Sequence, residues 1–250
     1  MAGAAIPGRL NWQLATVREL IDETERAKSI VLDMPGWPGH RAGQHVDVRL
    51  TAEDGYQAQR SYSIGSAPDD GHLLLTVERL ADGEVSPYLV DELRAGDELE
   101  LRGPIGGYFV WERSLGGPLF LVAGGSGVVP LRSMLRQQRA HGNDVPVALL
   151  YSARTLDDVL YRDELWHRAS DDGVDIQLTL TRLPPDGWRG YQRRIDPEML
   201  EQVGWSPEHR PLVYVCGPSE FVETAASSLV ALGHEPERIR TERFGPTGTD

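Results

Sequence analysis

The character of the chain changes near residue 114, and this change restricts the folds that the sequence can adopt. Before it, short stretches of alternating apolar and polar residues are separated by turn-forming pairs such as Pro35-Gly36 and Asp82-Gly83. The stretches predicted as strands are residues 12–19, 27–32, 45–50, 59–64, 73–79 and 98–102. With one helical stretch among them, at residues 86–93, this pattern is typical of an antiparallel barrel or sandwich.

The second half of the chain alternates strands with helices. Residues 119–123 form a short, continuous apolar run, as in a parallel strand buried on both faces. Further strands are predicted at residues 147–152, 175–181, 212–215 and 239–242, and helices at residues 130–141, 156–168, 219–232 and from Asp196-Pro197. This order predicts a doubly wound α/β unit with a five-stranded parallel sheet. We place the domain boundary at the linker of residues 114–117, giving domains of residues 1–113 and 114–250.

The single cysteine, Cys216, and the acidic balance of the 250 residues exclude several classes of protein. One thiol cannot form an intramolecular disulfide or supply the four thiolates of a zinc or iron–sulfur centre, and we predict no metal site. The formal net charge of −13 argues against nucleic acid and anionic membranes as partners. We expect a cytoplasmic protein with a reduced thiol, because we see neither a signal-peptide pattern nor a membrane span of roughly 18 apolar residues.

A glycine-rich turn follows the first strand of the second half. Residues 124–130 read Gly-Gly-Ser-Gly-Val-Val-Pro and stand between a predicted strand and a predicted helix. Glycines at such a place let backbone N–H groups approach a pyrophosphate, and the helix N-terminus adds favourable partial charge. The turn ends in proline and so departs from the usual G-x-G-x-x-G pattern of dinucleotide sites.

Polar side chains end the next strands of the same predicted sheet. The second strand ends near Ser152 and Arg154, without the carboxylate that binds the ribose of NAD, and the third ends at Thr181-Arg182. A hydroxyl and a guanidinium suit a 2′-phosphate better than a bare ribose. The fourth strand ends in Cys216-Gly217-Pro218, so several strand ends offer polar groups to one crevice.

The first half carries a compact group of functional side chains in Arg60-Ser61-Tyr62-Ser63. Strand alternation places the arginine and the tyrosine on one face and the two serines on the other. The same segment also suits an edge strand with a half-buried tyrosine. Further on, Ser86 and Pro87 are typical of an N-cap and a first helical position; such a helix N-terminus can receive phosphate or simply be well capped.

Six motifs occur in a fixed order along the chain. They are Arg60-Ser61-Tyr62-Ser63, the turn at residues 83–86, Gly103-Pro104-Ile105-Gly106, residues 124–130, Cys216-Gly217-Pro218 and Glu242-Arg243-Phe244. Together they resemble the ferredoxin–NADP reductase family, which includes the reductase components of bacterial oxygenases and the reductase half of flavohaemoglobins. The resemblance covers residues 12–246 and implies an FAD-binding antiparallel β-barrel domain followed by an α/β NAD(P)-binding domain, with no iron–sulfur domain.

The resemblance implies roles for the residues of the barrel. Arg60 would neutralise the flavin pyrophosphate, Tyr62 would stack on the isoalloxazine ring and Ser63 would hydrogen-bond near its N5 atom. The backbone of residues 76–78 would touch the ring, and residues 83–86 would complete the phosphate site. The further residues expected to contact FAD are Ser61, Thr76, Val77, Glu78, Gly83, Val85 and Ser86.

The resemblance also implies roles for the second domain. Cys216 would lie beside the nicotinamide, and Glu242 and Phe244 would match the family's terminal carboxylate–aromatic pair, with Phe244 covering the flavin until nicotinamide displaces it. The residues expected to bind the nucleotide are Gly125, Gly127, Pro130, Ser152, Arg154, Thr181, Arg182, Cys216, Gly217 and Pro218. The chain continues past Phe244, as in flavohaemoglobin-like reductases and unlike plant-type members.

The function that the resemblance implies is transfer of a hydride from NAD(P)H, with NADPH favoured over NADH, to FAD and then of single electrons to an acceptor. Ser63, Cys216, Glu242 and Phe244 would act at the reacting atoms. The acceptor would be a separate iron–sulfur or haem protein, such as a ferredoxin or an oxygenase component. The alternatives are a reductase of small acceptors (free flavin, quinone or ferric chelates) and a non-catalytic flavin- or nucleotide-binding subunit. Candidate cations for docking an acidic ferredoxin are Arg9, Arg18, Arg26 and Lys28.

Overall fold

The structure is a computed structural model that describes residues 10–142, 144–172 and 174–244. Within these residues the chain forms one antiparallel and one parallel sheet, as the patterns of its two halves predict. The strands of the first sheet are β1 (Gln13–Thr24), β2 (Ala27–Asp33), β3 (His45–Thr51), β4 (Gln57–Ser63), β5 (Leu73–Glu78) and β6 (Glu98–Ile105). Those of the second are β7 (Leu119–Gly124), β8 (Val147–Ala153), β9 (Asp175–Leu180), β10 (Leu212–Pro218) and β11 (Ile239–Phe244). The helices are α1 (Val128–Ala140), α2 (Arg162–Asp171), α3 (Pro197–Val203) and α4 (Ser219–Ala231).

The first sheet closes into a barrel. Its strand order is β4-β3-β6-β1-β2-β5, and the two end strands meet through an antiparallel bridge between Ile64 and Leu75. Next to this bridge the Gly65 amide donates a hydrogen bond to the Leu74 carbonyl at 2.8 Å. Closure leaves the ends of β4 and β5 side by side, because no other strand lies between them.

The helical turn after β5 differs from its predicted form. It is a π-helical turn over Tyr88–Glu92, and its Leu89 side chain is fully buried in the barrel core. The prediction that the Ser86 hydroxyl caps a helix is wrong, since this hydroxyl accepts a hydrogen bond from the Leu80 amide at 3.0 Å. The hydroxyl thus fixes the loop before the helical turn, where Gly83 packs so closely that a Cβ would lie 2.8 Å from Ser86 Oγ.

The parallel sheet has the order β11-β10-β7-β8-β9, with helices on both faces. Alternate residues of its central strands face opposite sides: Leu121 packs in the cluster with α1, whereas Val122 packs in the cluster with α3 and α4. This two-sided burial explains why the strands have continuous apolar sequences. The doubly wound arrangement predicted for the second half is confirmed.

The helix predicted over residues 156–168 is two helical segments. Thr155 and Asp158 form a capping box around a 3₁₀ turn, Leu156–Asp158, and α2 starts only at Arg162. Tyr161, between them, has a left-handed backbone with φ of 56°. The sequence hides this break because the residues across it are apolar and buried, as they would be in one continuous helix.

The two halves share one apolar core. Ala42, Phe109 and Trp111 belong to the buried cluster that lines one face of the parallel sheet, and the Tyr214 hydroxyl donates to the Val110 carbonyl at 2.7 Å. The boundary at residues 113 and 114 stays a prediction. In the part of the chain that the structure describes, no helix is both long enough and apolar enough to cross a bilayer.

Candidate functional site

The end of β4 and the beginning of α1 meet at the junction of the two halves. The Gly65 carbonyl accepts a hydrogen bond from Arg132 at 3.0 Å, and the Ser66 carbonyl accepts one from Ser133 at 2.6 Å. Both donors lie on α1, which follows the glycine-rich turn. The structure therefore brings the Arg60–Ser63 motif and the glycine-rich turn to one junction, as a shared site for two cofactors requires.

Ser63 ends β4 with a side chain that fits a bound group. It is 6% exposed, and its Oγ is buried without a hydrogen-bond partner among the described residues. A buried hydroxyl without a partner costs about 1–3 kcal/mol, so natural structures seldom keep one unless a ligand or water satisfies it. The residues present thus fit the expected flavin contact at this atom.

Arg60 lies three residues before it on β4 and is half-exposed. Its guanidinium contacts the Glu84 carboxylate at 2.6 Å, and the Tyr56 hydroxyl donates to the same carboxylate at 2.7 Å. These two hydrogen bonds lower the pKa of Glu84. Glu84 belongs to the turn at residues 83–86, so the structure joins the two segments that the sequence assigns to the flavin phosphates.

The other two members of the β4 motif point to opposite faces, as alternation predicts. Tyr62 packs partly against the barrel core, and burial raises the pKa of its phenol. The Ser61 hydroxyl donates to Asp47 at 2.6 Å, and this carboxylate also pairs with Arg102 at 2.6 Å. The Ser61 side chain therefore lies on the outer face of the barrel. None of its contacts with the described residues supports its predicted role in binding FAD.

Several of the residues predicted to contact FAD on β5 and in the turn after it have side chains that face the protein interior. Val77 and Val85 are fully buried in the barrel core, which directs both side chains away from any ligand. The Thr76 hydroxyl hydrogen-bonds with Ser29 and Tyr161, whereas Glu78 is half-buried at the end of the strand. The side chains of Val77 and Thr76 are therefore occupied within the protein, which favours a backbone contact at these two residues.

The glycine-rich turn owes its shape to close contact with β10. A Cβ on Gly127 would lie 2.1 Å from the Cys216 carbonyl oxygen, a distance that excludes any side chain. Gly125 has φ of 55° and open space around it. The helix after the turn starts at Val128, two residues earlier than predicted, which places Pro130 in its first turn, where proline is tolerated.

Cys216 and Glu242 lie opposite each other on the neighbouring strands β10 and β11. The thiol is fully buried, and burial, together with the nearby charge of Glu242, raises its pKa. Burial raises the pKa of Glu242 to about 7. The thiol therefore stays neutral, and the carboxyl can gain or lose a proton near neutral pH.

Phe244 lies opposite Pro218 at the end of the same strand pair. It is half-buried and packs against the cluster that contains Cys216. The tail beyond it, residues 245–250, lies outside the described residues.

The two chain segments that carry the hydroxyl–guanidinium pairs, Ser152 with Arg154 and Thr181 with Arg182, lie side by side. The Arg182 amide donates to the Arg154 carbonyl at 2.9 Å, and the Thr181 amide donates to the Ala153 carbonyl at 3.0 Å. These bonds hold the chain after β9 beside the end of β8, where Ser152 is half-buried. Both guanidiniums are exposed, and neither takes part in a salt bridge within the described ranges.

Several polar residues of the site and of the junction were not predicted from the sequence. Glu84 could have been identified, because it is a carboxylate inside the turn at residues 83–86. Tyr161 and Glu23, which link the two halves, carry no such signal, because their partners are distant in sequence.

The docking role of the candidate cations stays a prediction, and those that the structure describes have partners on the surface. Arg18 pairs with Asp33 at 3.2 Å, and Lys28 pairs with Asp22 at 3.7 Å. Arg26 donates to the Arg79 carbonyl at 3.4 Å, and Arg9 lies outside the described residues. The surface groove beside Lys28 is acidic; its carboxylates are Asp22, Glu23, Glu25 and Asp91.

Comparison with known proteins agrees with this geometry. Residues 20–110 match the oxidoreductase FAD-binding domain, and residues 121–227 match the oxidoreductase NAD-binding domain. Ferredoxin–NADP reductase B of Sorangium cellulosum is 34% identical over 91% of this chain and 91% of its own length. The glycine betaine monooxygenase reductase subunit of Pseudomonas aeruginosa is 31% identical over 92% of this chain, which spans only 63% of that relative.

A solved structure shows the same architecture. The flavohaem-like FAD/NAD-binding domain of nitric oxide dioxygenase from Vibrio cholerae superposes with a TM-score of 0.83 at 27% identity, covering 94% of this chain and 99% of that one. Barrel, parallel sheet and domain order therefore agree with both the sequence motifs and the relatives. The chain belongs to the ferredoxin–NADP reductase family of flavin-dependent oxidoreductases and has an FAD-binding and an NAD-binding domain.

Proposed function

We propose that the protein takes hydride from NADPH, or less efficiently from NADH, and delivers single electrons to a separate iron–sulfur or haem protein. The observation that carries this proposal is the buried, unpartnered Ser63 hydroxyl at the junction with the glycine-rich turn. We infer that a bound flavin ring satisfies this hydroxyl, and the hydrogen bonds from α1 to the carbonyls of Gly65 and Ser66 support a position beside the nucleotide domain. We propose a cytoplasmic location, where the single thiol stays reduced.

FAD, when bound, supplies the chemistry that converts a two-electron donor into a one-electron donor. Arg60 would neutralise its pyrophosphate, Tyr62 would orient the ring, and the Ser63 hydroxyl would donate a hydrogen bond to it. Cys216 is neutral and buried, so it contributes a small polar surface without charge. Glu242 is placed to hold or release a proton, because its pKa of about 7 lies close to neutral pH.

The preference for NADPH rests on Arg154 and Arg182. Both are exposed at the same sheet edge with no carboxylate salt bridge in the described ranges, so they can receive a 2′-phosphate without losing another partner. We expect Arg182→Ala to raise KM for NADPH about tenfold, the worth of one charge-assisted hydrogen bond, and to leave KM for NADH unchanged. Equal KM changes for both nucleotides would contradict the assignment.

The acceptor would be a separate protein, since the one cysteine of the chain cannot ligate a cluster. The name of the Pseudomonas relative describes such a role in that protein, as the reductase subunit of a monooxygenase. The test compares NADPH-dependent reduction of a [2Fe–2S] ferredoxin with that of free FMN, a benzoquinone and a ferric chelate. We expect the higher kcat/KM for the protein acceptor.

A reductase of small acceptors is the second candidate. The acidic groove around Lys28 favours it, because such a surface repels an acidic ferredoxin. Turnover with the small acceptors alone would establish this second function and refute the first.

A further inference from the structure

Tyr161 belongs to the nucleotide domain but reaches into the barrel. It is 4% exposed and directly precedes α2 with a left-handed backbone conformation. A left-handed backbone with φ of 56° is uncommon for a bulky residue and persists only where the surroundings hold it.

A chain of hydrogen bonds runs from its phenol through the barrel. The Tyr161 hydroxyl bonds with Thr76 Oγ1, Thr76 Oγ1 lies 2.7 Å from Ser29 Oγ, and Ser29 Oγ lies 2.5 Å from Glu23 Oε1. The direction of this chain follows from the number of protons. An ionised Glu23 only accepts, so Ser29 must donate to it; the one proton of Ser29 is then used, so Thr76 donates to Ser29 and Tyr161 donates to Thr76.

The backbone of Tyr161 closes the chain into a ring. Its amide donates to Glu23 Oε2 at 3.3 Å, so the two carboxylate oxygens of one barrel residue receive both ends of the network. Burial raises the pKa of the Tyr161 phenol, which therefore stays protonated and remains a donor at physiological pH. Networks of this kind fix geometry closely, because losing any member leaves a buried polar atom unpaired.

Arg132 of α1 holds the ring of Tyr161 from its other side. Its guanidinium carbon lies 4.2 Å from the ring centroid, and the same guanidinium bonds with the Gly65 carbonyl and with Glu164 at 2.8 Å. A Cβ on Gly65 would lie 3.2 Å from the Tyr161 hydroxyl and 2.9 Å from Leu74. The phenol thus fills the space beside the strand that continues from Ser63.

We propose that Tyr161 is a positioning residue that sets the nucleotide domain over the flavin site. It contacts two segments that would hold the flavin, Thr76 on β5 and Gly65 just after Ser63, from the domain that would hold the nicotinamide. This proposal rests on the proposed function. FAD, when bound, would accept the hydride, a proton with two electrons, that a dihydronicotinamide gives up, and a displacement of about 1 Å between two such groups can cost about a hundredfold in rate.

The test uses two single variants of the FAD-loaded protein, their double variant and one control variant. Tyr161→Phe removes the hydrogen bond from the phenol to Thr76 and keeps the contact between the ring and Arg132. Ser29→Ala removes the hydroxyl that links Thr76 to Glu23 in the same network. The matched control is Tyr191→Phe, which removes a phenol hydrogen bond to Gln202 inside the nucleotide domain. The measurement is anaerobic stopped-flow reduction of the flavin over a range of NADPH concentrations.

We expect Tyr161→Phe and Ser29→Ala each to lower the limiting reduction rate about tenfold while the Kd for NADPH stays within twofold of wild type. The double variant should be no slower than the slower single variant, because both changes break one network. The flavin of Tyr191→Phe should be reduced at the same limiting rate as that of wild type. Hydrogen exchange, which needs no turnover, should be faster at β5, at residues 23–29 and at the start of α2 in both test variants only.

Unchanged limiting rates in Tyr161→Phe and Ser29→Ala, with wild type reduced normally, would overturn this proposal and leave the proposed function intact. A higher Kd for NADPH without a lower limiting rate would also overturn it. So would a double variant whose limiting rate falls by the product of the two single-variant factors. A wild-type flavin that NADPH does not reduce would refute the proposed function instead. In that case the hydrogen-exchange comparison still decides whether Tyr161 couples the two domains.

Discussion

At the scale of single residues, the candidate site contains a hydroxyl without a partner, a carboxyl with a raised pKa and an arginine held by a carboxylate. Ser63 Oγ is buried without a partner among the described residues, burial raises the pKa of Glu242 to about 7, and Arg60 is paired with the carboxylate of Glu84. Sequence alternation correctly predicted that Ser61 and Tyr62 face opposite sides of β4. It could not predict the ion pair with Glu84, because that contact depends on how the barrel brings two separate segments together.

Glu84→Gln should tighten the binding of FAD. The Glu84 carboxylate holds the guanidinium that the flavin pyrophosphate would use and adds a like charge beside it, so removing the charge favours the cofactor. Because the pair is exposed and screened, we expect a decrease in Kd of about threefold to fivefold, measured by quenching of FAD fluorescence.

Arg60→Ala is the opposite control and should lose FAD on gel filtration, because no guanidinium then pairs with the pyrophosphate. An unchanged or weaker affinity in Glu84→Gln would show that the carboxylate orients Arg60 for the cofactor rather than competing with it.

Glu242→Gln should change how stability depends on pH. The pKa of Glu242 rises from the usual 4.5 to about 7 in the folded protein, so between these values the folded chain keeps a proton that the unfolded chain has released. This contribution to stability is fully present below pH 4.5 and is lost as the pH rises through 7.

Wild type should therefore lose of order 2–3 kcal/mol more than Glu242→Gln in the free energy of unfolding between about pH 5 and pH 8. Denaturant unfolding in saturating FAD at both pH values checks this difference. Parallel losses in the two proteins would mean that the carboxyl is ionised throughout.

At the scale of elements, most strands were predictable, whereas the helical stretches predicted at residues 86–93 and 156–168 have a different form. Strands such as β7 have continuous apolar sequences because both faces are buried, and this leaves a clear pattern. The break before α2 leaves none, because Val159 and Leu160 are buried in either arrangement. What fixes the break is Tyr161, whose partners Glu23 and Thr76 lie in the other half of the chain.

The contact between the glycine-rich turn and β10 predicts the effect of adding a methyl group. Gly127→Ala would force the N-terminus of α1 away from β10, because the new Cβ would overlap the Cys216 carbonyl. We expect a loss of about 3 kcal/mol or more in the free energy of unfolding.

Gly125→Ala is the matched variant in the same turn. It has open space for a Cβ and bears only the cost of a left-handed backbone, about 1 kcal/mol. Equal losses in both variants, measured by denaturant unfolding, would mean that close packing against β10 does not explain Gly127.

At the scale of the whole molecule, the order of the motifs predicted the order of the two domains. It did not predict how the domains meet. Arg132, Ser133 and Tyr161 join the barrel to the nucleotide domain through hydrogen bonds between residues about 70–140 positions apart in the chain. No local pattern encodes such pairs. The site at the junction was therefore predictable as a list of residues but not as a geometry.

On the function that we propose, the barrel and the parallel sheet together pass hydride from a nicotinamide to a bound flavin. The direct measurement is the visible spectrum of the purified protein during anaerobic titration with NADPH and then NADH. We expect a bound yellow flavin whose visible absorbance is lost after about one equivalent of NADPH. A protein that binds no flavin, or a flavin that stays oxidised with both nucleotides, would contradict the claim.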